Sequence, residues 1–248
     1  MAKTTTKSEH DIDNAIIATE EFKKSTMAAK LNWLRAGVLG ANDGIMSTSG
    51  LILGVAGATT DSAQILIAGV AAVVAGSISM AGGEYTSVSA QKDSEKAALA
   101  VERKELKENP EGELRELQWF YEQKGMSPSL AKQVAIELTE RDALKAHAEA
   151  ELGIDSENHV SPGQAALSSF VAFAAGGLLP LFASMGDASL RIYLVIGSVV
   201  AALTLTGYVG AKIGGAKPGR GIVRNLVVSL LTMGVTYVIG YLFGTTIA

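Results

Sequence analysis

Residues 36–60 read AGVLGANDGIMSTSGLILGVAGATT, and Asp43 is the only charged side chain among them. An α-helix needs about 20 mostly apolar residues to cross roughly 30 Å of hydrocarbon, and this stretch supplies them. A carboxylate near the middle of such a helix costs at least ~2.5–3.5 kcal/mol on insertion scales. It persists there when it faces protein, water, a partner cation or an ion path.

The rest of the chain has the same character. It has 248 residues, 48% of them hydrophobic, with a mean hydropathy of +0.27, which is unlike an ordinary soluble domain. Five apolar runs reach spanning length, at about 33–57, 64–90, 163–186, 190–212 and 221–246. A polar tail of about 30 residues precedes the first run, so it does not have the form of a cleaved signal peptide. The chain has no cysteine, which excludes disulfides, thiolate zinc sites and thiol catalysis.

Charge gives the organisation. Sixteen of the 25 acidic residues lie between Lys92 and Val160. Five more are in the N-terminal tail, and Asp61 and Asp187 lie in loops. Only Asp43 and Glu84 remain within the spans. Basic residues flank the spans asymmetrically. Lys23, Lys24, Lys30 and Arg35 precede the first, Lys92 and Lys96 follow the second, and Lys212, Lys217, Arg220 and Arg224 join the fourth to the fifth. The opposite loops hold only Arg191. The excess of Lys and Arg puts the N-terminus and 92–160 in the cytoplasm and the C-terminus on the far side.

The expected fold is therefore an all-α membrane protein. Five transmembrane helices are joined by a three-helix cytoplasmic metal-binding domain inserted between the second and third spans. Residues 1–30 form a cytoplasmic tail, 31–91 membrane helices 1 and 2, 92–160 the inserted domain, and 161–248 membrane helices 3 to 5. Within 92–160, Asn109-Pro110 ends one helix and starts the next, and Gly125 and Gly153 act as stops. The first of the three helices is expected to continue out of the second span.

Two sets of residues are candidate metal ligands. In the second span Ala68, Ala72, Gly76, Met80 and Glu84 recur every fourth position, on one face. Counting from Trp33 at the first interface, Asp43 lies roughly 15 Å deep. Counting from the end near Gln91, Met80 lies roughly 16 Å deep and Glu84 roughly 10 Å. The three side chains can form a ladder from the cytoplasmic mouth toward the midplane. Carboxylates alone suit Mg²⁺ or Ca²⁺, whereas a thioether suits softer transition metals. On spacing alone Met80 is equally a core filler. In the inserted domain Glu102 with Glu105, and Glu113 with Glu116, are i, i+3 pairs, and His147 with Glu151 is an i, i+4 pair. Such a set suits divalent iron, manganese or zinc; the competing reading is a solvated charged surface.

The chain resembles the vacuolar iron transporter family, as a bacterial-type member. The likeness is carried by RAGVLGANDGIMSTSGLILGVAGA, VAGSISMAGGEYTSVSAQKD, ERKEL, EGELREL, DALKAHAEAELGI and FAAGGLLPLF, and it covers nearly everything from Leu31. The resemblance implies a homodimer that exports Fe²⁺, with Mn²⁺ or Zn²⁺ as further cargo, from the cytosol in exchange for protons. It implies a path at the dimer interface lined by Asp43 and Met80, and metal ligation by Glu102, Glu105, Glu113 and Glu116. Plant members carry a Met-Met pair before the final Glu; here His147-Ala148 stands in its place and Glu151 is kept, so sulfur ligation is lost. Expected partners are divalent metal ions, protons and membrane lipid, with no nucleic acid, no resident cofactor and no enzymatic reaction. Two alternatives are a membrane-anchored ferritin-like iron oxidase and a non-transporting metal sensor. The oxidase would use Glu-x-x-His pairs, absent from 92–160. The sensor needs no carboxylate within its spans. The short, cysteine-free, alanine-rich chain suits a bacterial plasma membrane better than a vacuolar one.

Overall fold

The computed structural model describes residues 37–154 and 161–247. The N-terminal tail, Trp33 and Arg35 lie outside them. Seven α-helices and no strands make up the described residues. They are α1 (Gly37–Ala58), α2 (Ser62–Glu108), α3 (Pro110–Gln123), α4 (Pro128–Ala150), α5 (Pro162–Ser184), α6 (Arg191–Ile213) and α7 (Pro218–Ile247). Of these, α1, α2, α5, α6 and α7 are long and apolar enough to cross a membrane, as fits an integral multi-pass protein.

Proline and glycine set the element boundaries. Four of the five prolines open a helix: Pro110, Pro128, Pro162 and Pro218. At the first helical position the missing N–H costs nothing, because that group has no intrahelical acceptor. Asn109 caps α3 by accepting from the Gly112 N–H at 3.1 Å. Gly125 and Gly153 end α3 and α4 with φ of +92° and +63°, in the left-handed region that a Cβ disfavours. The fifth proline, Pro180, lies buried inside α5.

The chain divides into two compact units, with boundaries after Tyr85 and before Pro162. The first unit holds α1, the apolar half of α2, and α5 to α7. Its core draws on every one of these helices: Ile45, Ile52 and Leu53 from α1, Ile65 and Val73 from α2, Leu181 from α5, Val195, Val199 and Leu203 from α6, and Met233 from α7. The spacings are helical. On α2 the buried positions are Ile65, Gly69, Val73 and Ser77, every fourth residue. The neighbouring small-residue stripe, Ala71, Ala75, Ser79, Gly83 and Ser87, is exposed along its length.

Helix α1 packs closely against α5 and α7. A Cβ added at Gly44 would run into the Phe173 carbonyl of α5, and one added at Gly240 of α7 into the Gly54 carbonyl of α1. Backbone therefore lies against backbone on two sides of α1, which small residues alone permit. Polar ties fix the same bundle. Thr206 Oγ1 donates to Asn42 Oδ1 at 2.6 Å, joining α6 to α1 beside Asp43. The buried Arg191 donates to the Ser184 carbonyl at 2.9 Å and to Ser62 Oγ at 2.5 Å, joining the ends of α6, α5 and α2.

The second unit, 86–161, contains the charged end of α2 with α3 and α4. The α2 helix runs unbroken to Glu108, so the first of the three expected helices is indeed continuous with the second span. Its small core centres on Leu117, Ala135 and Ala146. The sequence reads as one helix from Ser127 to Gly153, but α4 breaks at Asp142, where φ is −165° and ψ is 94°. Asp142 Oδ1 accepts from the Lys145 N–H at 3.0 Å, so its side chain starts a new helical segment in the manner of an N-cap. His147 and Glu151 follow that restart.

The backbone contact predicts a difference between two glycines of α7. Gly240→Ala forces α1 and α7 apart and costs about 1–3 kcal/mol, as overpacking does. Gly234→Ala puts its methyl group into open space and is neutral to slightly stabilising, since alanine favours helix. Thermal unfolding of both variants, followed by size-exclusion chromatography, checks this; equal melting would contradict the packing described.

Candidate metal centres

In the first unit an open groove of about 560 Å³ is lined by Asp43, Ser47 and Leu51 of α1, by two adjacent stripes of α2 (Ala72, Gly76, Met80 and Glu84; Ala75, Ser79 and Gly83), and by Phe173 of α5. Asp43, Met80 and Glu84 thus line one cavity. Asp43 is half-buried, and Ser47 Oγ donates to its Oδ1 at 2.7 Å, one helical turn away. The hydroxyl uses one carboxylate oxygen's lone pair and leaves acceptor capacity facing the groove. Among the described residues no Lys or Arg lines the groove to neutralise either carboxylate. Two carboxylates and a thioether around one cavity form a mixed hard and soft donor set. Phe173 and Leu51 are lining residues that sequence reasoning missed. Gly76 was the available signal for Phe173, since a Cβ there would strike the Phe173 ring.

In the second unit the six predicted ligands separate into two groups. Glu102 (3% exposed), Glu113 (8%) and His147 (0%) are buried together, whereas Glu105, Glu116 and Glu151 are exposed, Glu151 at the edge of the buried group. His147 Nδ1 lies 3.1 Å from Glu102 Oε1, 3.5 Å from Glu151 Oε2 and 3.8 Å from Glu113 Oε2. Ligand atoms of Glu102, His147 and Glu151 all fall within 4.8 Å of one another. Donors bound at about 2.0–2.2 Å stand roughly 3.0–3.4 Å apart around a metal ion, so small side-chain shifts bring this set to coordination distance. Glu102 Oε1 and both His147 ring nitrogens are buried without an aligned hydrogen bond, although Nδ1 and Oε1 stand within ion-pair distance of each other. Buried polar atoms with poorly satisfied hydrogen bonding are costly, and a cation between them satisfies several at once.

Electrostatics agrees with the geometry. Burial, reinforced by repulsion from Glu151, Glu113, Glu105 and Glu116, pushes the Glu102 carboxyl up from 4.5 to about 7. Burial also raises Glu113, with repulsion from Glu116 adding to it and His147 opposing it. Glu105 and Glu116 are outside the tight group but contribute negative field to it. The Asp142 restart carries His147 and Glu151 to Glu102 of α2 and Glu113 of α3.

A model of the VIT family matches residues 34–241, a stretch that contains both the groove and the glutamate–histidine cluster. The chain belongs to the VIT family. It is 42% identical over 227 residues to "Vacuolar iron transporter" of Acanthamoeba castellanii, covering 91% of this chain and 84% of that one. It is 32% identical to "Vacuolar iron transporter homolog 5" of Oryza sativa subsp. japonica, covering 94% and 89%, and 30% identical to "Vacuolar iron transporter homolog 1" of Arabidopsis thaliana, covering 95% and 97%. VIT membership thus extends over both units, and the family's naming is that of metal-ion transporters.

The raised Glu102 carboxyl fixes the sign of a pH effect in the metal-free VIT chain. A carboxyl that holds its proton more tightly when folded stabilises the fold fully below 4.5 and loses that contribution as pH rises through about 7. Glu102→Gln removes the loss. With chelator present, this variant should melt above the parent at about pH 8 and level with it at about pH 4. Saturating Mn²⁺ should stabilise the parent more than the variant. A melting difference independent of pH would contradict the buried cluster.

Proposed function

We propose that this chain exports Fe²⁺, and with it Mn²⁺, from the cytosol across a membrane in exchange for protons, working as a homodimer with the N-terminus and 92–160 cytoplasmic. The observation that carries this reading is the groove, where both carboxylates of the spans meet the Met80 thioether around one cavity. A purely structural bundle gains nothing from two acids in its apolar helices. The names of the relatives favour iron as cargo.

In this reading Glu102, Glu113, His147 and Glu151 collect the hydrated ion, with Glu105 and Glu116 adding attraction. Nitrogen and oxygen donors suit divalent iron, manganese and zinc. Asp43, Met80 and Glu84 then bind the ion after partial loss of water. Protonation of Asp43 or Glu84 expels the metal, because a carboxylate binds either a proton or a cation, and this competition is the simplest form of exchange. The exposed small-residue stripe of α2, whose Ala75, Ser79 and Gly83 form part of the groove wall, supports a dimer with the groove at its interface: it leaves room for close approach by a second copy.

Reconstitution into proteoliposomes tests the reading. The parent should move Fe²⁺ at a rate that changes with the pH difference across the membrane. Asp43→Ala should abolish flux while keeping the parent's melting temperature and elution volume. Normal flux through that variant would remove Asp43 from the path, and a rate independent of pH would remove the exchange.

A further inference from the structure

The turn between α6 and α7 carries charge that the transport reading uses only to set orientation. From Ala188 to the C-terminus there is no Asp or Glu, yet Lys212, Lys217, Arg220 and Arg224 crowd the connection. All four are exposed, and among the described residues no carboxylate pairs with any of them. The turn is tight and well defined. The Gly214 N–H donates to the Gly210 carbonyl at 3.0 Å, the Ala216 N–H to the Ala211 carbonyl at 2.9 Å, and Gly215 sits at φ +67°. Helices α6 and α7 pack against each other, so the turn gathers the four cations at one end of an antiparallel pair.

Two features point to an anion that is also amphipathic. Arg220 and Arg224 lie in the first two turns of α7, whose first turn holds no acidic residue. Cations there oppose the helix dipole and repel each other, and an anion relieves both costs. Directly beside the cations, Tyr208, Ile213, Val223 and Val227 are exposed. The Lys212 ammonium lies 5.9 Å from the centre of the Tyr208 ring, an aromatic and cationic pair of the kind found at bilayer interfaces. Soluble phosphate would use the cations and leave the apolar flank bare; a phospholipid uses both.

We propose that the α6–α7 turn is a binding site for an anionic phospholipid, with Lys217, Arg220 and Arg224 holding the headgroup phosphate and Ile213, Val223 and Val227 lying along its acyl chains. Guanidinium groups suit phosphate because they present paired donors in one plane.

The test uses the full chain in neutral detergent with phosphatidylcholine and phosphatidylglycerol, counting retained lipids by native mass spectrometry. The parent should retain phosphatidylglycerol in preference to phosphatidylcholine. Arg220→Gln with Arg224→Gln should weaken that retention about thirtyfold, from the usual contribution of each basic residue near an anionic surface. Lys212 and Lys217 remain in this variant to keep the topology, which protease accessibility checks. Arg220→Lys with Arg224→Lys keeps the charge and should retain most of the binding, separating charge from fold. Millimolar glycerol phosphate should not displace the lipid. Equal retention of the two lipids by the parent, an unchanged Gln variant, or full displacement by glycerol phosphate would each overturn the proposal.

Discussion

The closeness of α1 to its neighbours governs the membrane unit. With Gly44 against the Phe173 carbonyl and Gly54 against Gly240, the backbone of α1 is held on two sides without intervening side chains. A helix held in this way has little freedom to rotate or slide. Its polar positions are then fixed: Asn42 reaches Thr206, and Asp43 reaches the groove. In lipid the hydrophobic effect gives no force between helices, so close packing of small residues is what remains to orient a costly carboxylate.

The two candidate centres answer one electrostatic problem differently. In the groove the carboxylates are few, half-buried and open on one side, and a serine hydroxyl partly solvates Asp43. In the 86–161 unit they are numerous and crowded around a fully buried imidazole, and the folded chain carries the cost as the raised Glu102 carboxyl. In the proposed reading the first arrangement serves brief occupancy and the second capture, because a site that binds too well does not release.

Much of this was legible in the sequence. The five spans show as apolar runs because the bilayer imposes a length that few soluble helices reach. Helix starts show because proline at N1 is a local preference, and Pro110, Pro128, Pro162 and Pro218 each obey it. Asp43 and Glu84 stand out because acids in apolar runs are rare. The rest depends on tertiary contact. Spacing puts Glu102 and Glu105 on one face but does not say that Glu102 is buried and Glu105 exposed. Phe173 enters the groove from α5, far in sequence from Gly76 of α2, whose Cβ would strike its ring. The break in α4 falls within ERDALK, whose residues nearly all favour helix, so composition conceals it.

That break at Asp142 has a consequence for how the cluster varies. In a continuous helix, one inserted or deleted residue turns everything beyond it by about 100°. His147 and Glu151 would then face away from Glu102. A helix that restarts sets its phase anew, so changes in length between Pro128 and Arg141 are absorbed at the break. The ligand-bearing segment is insulated from the packing of the helix that precedes it, and the two parts of α4 can diverge separately.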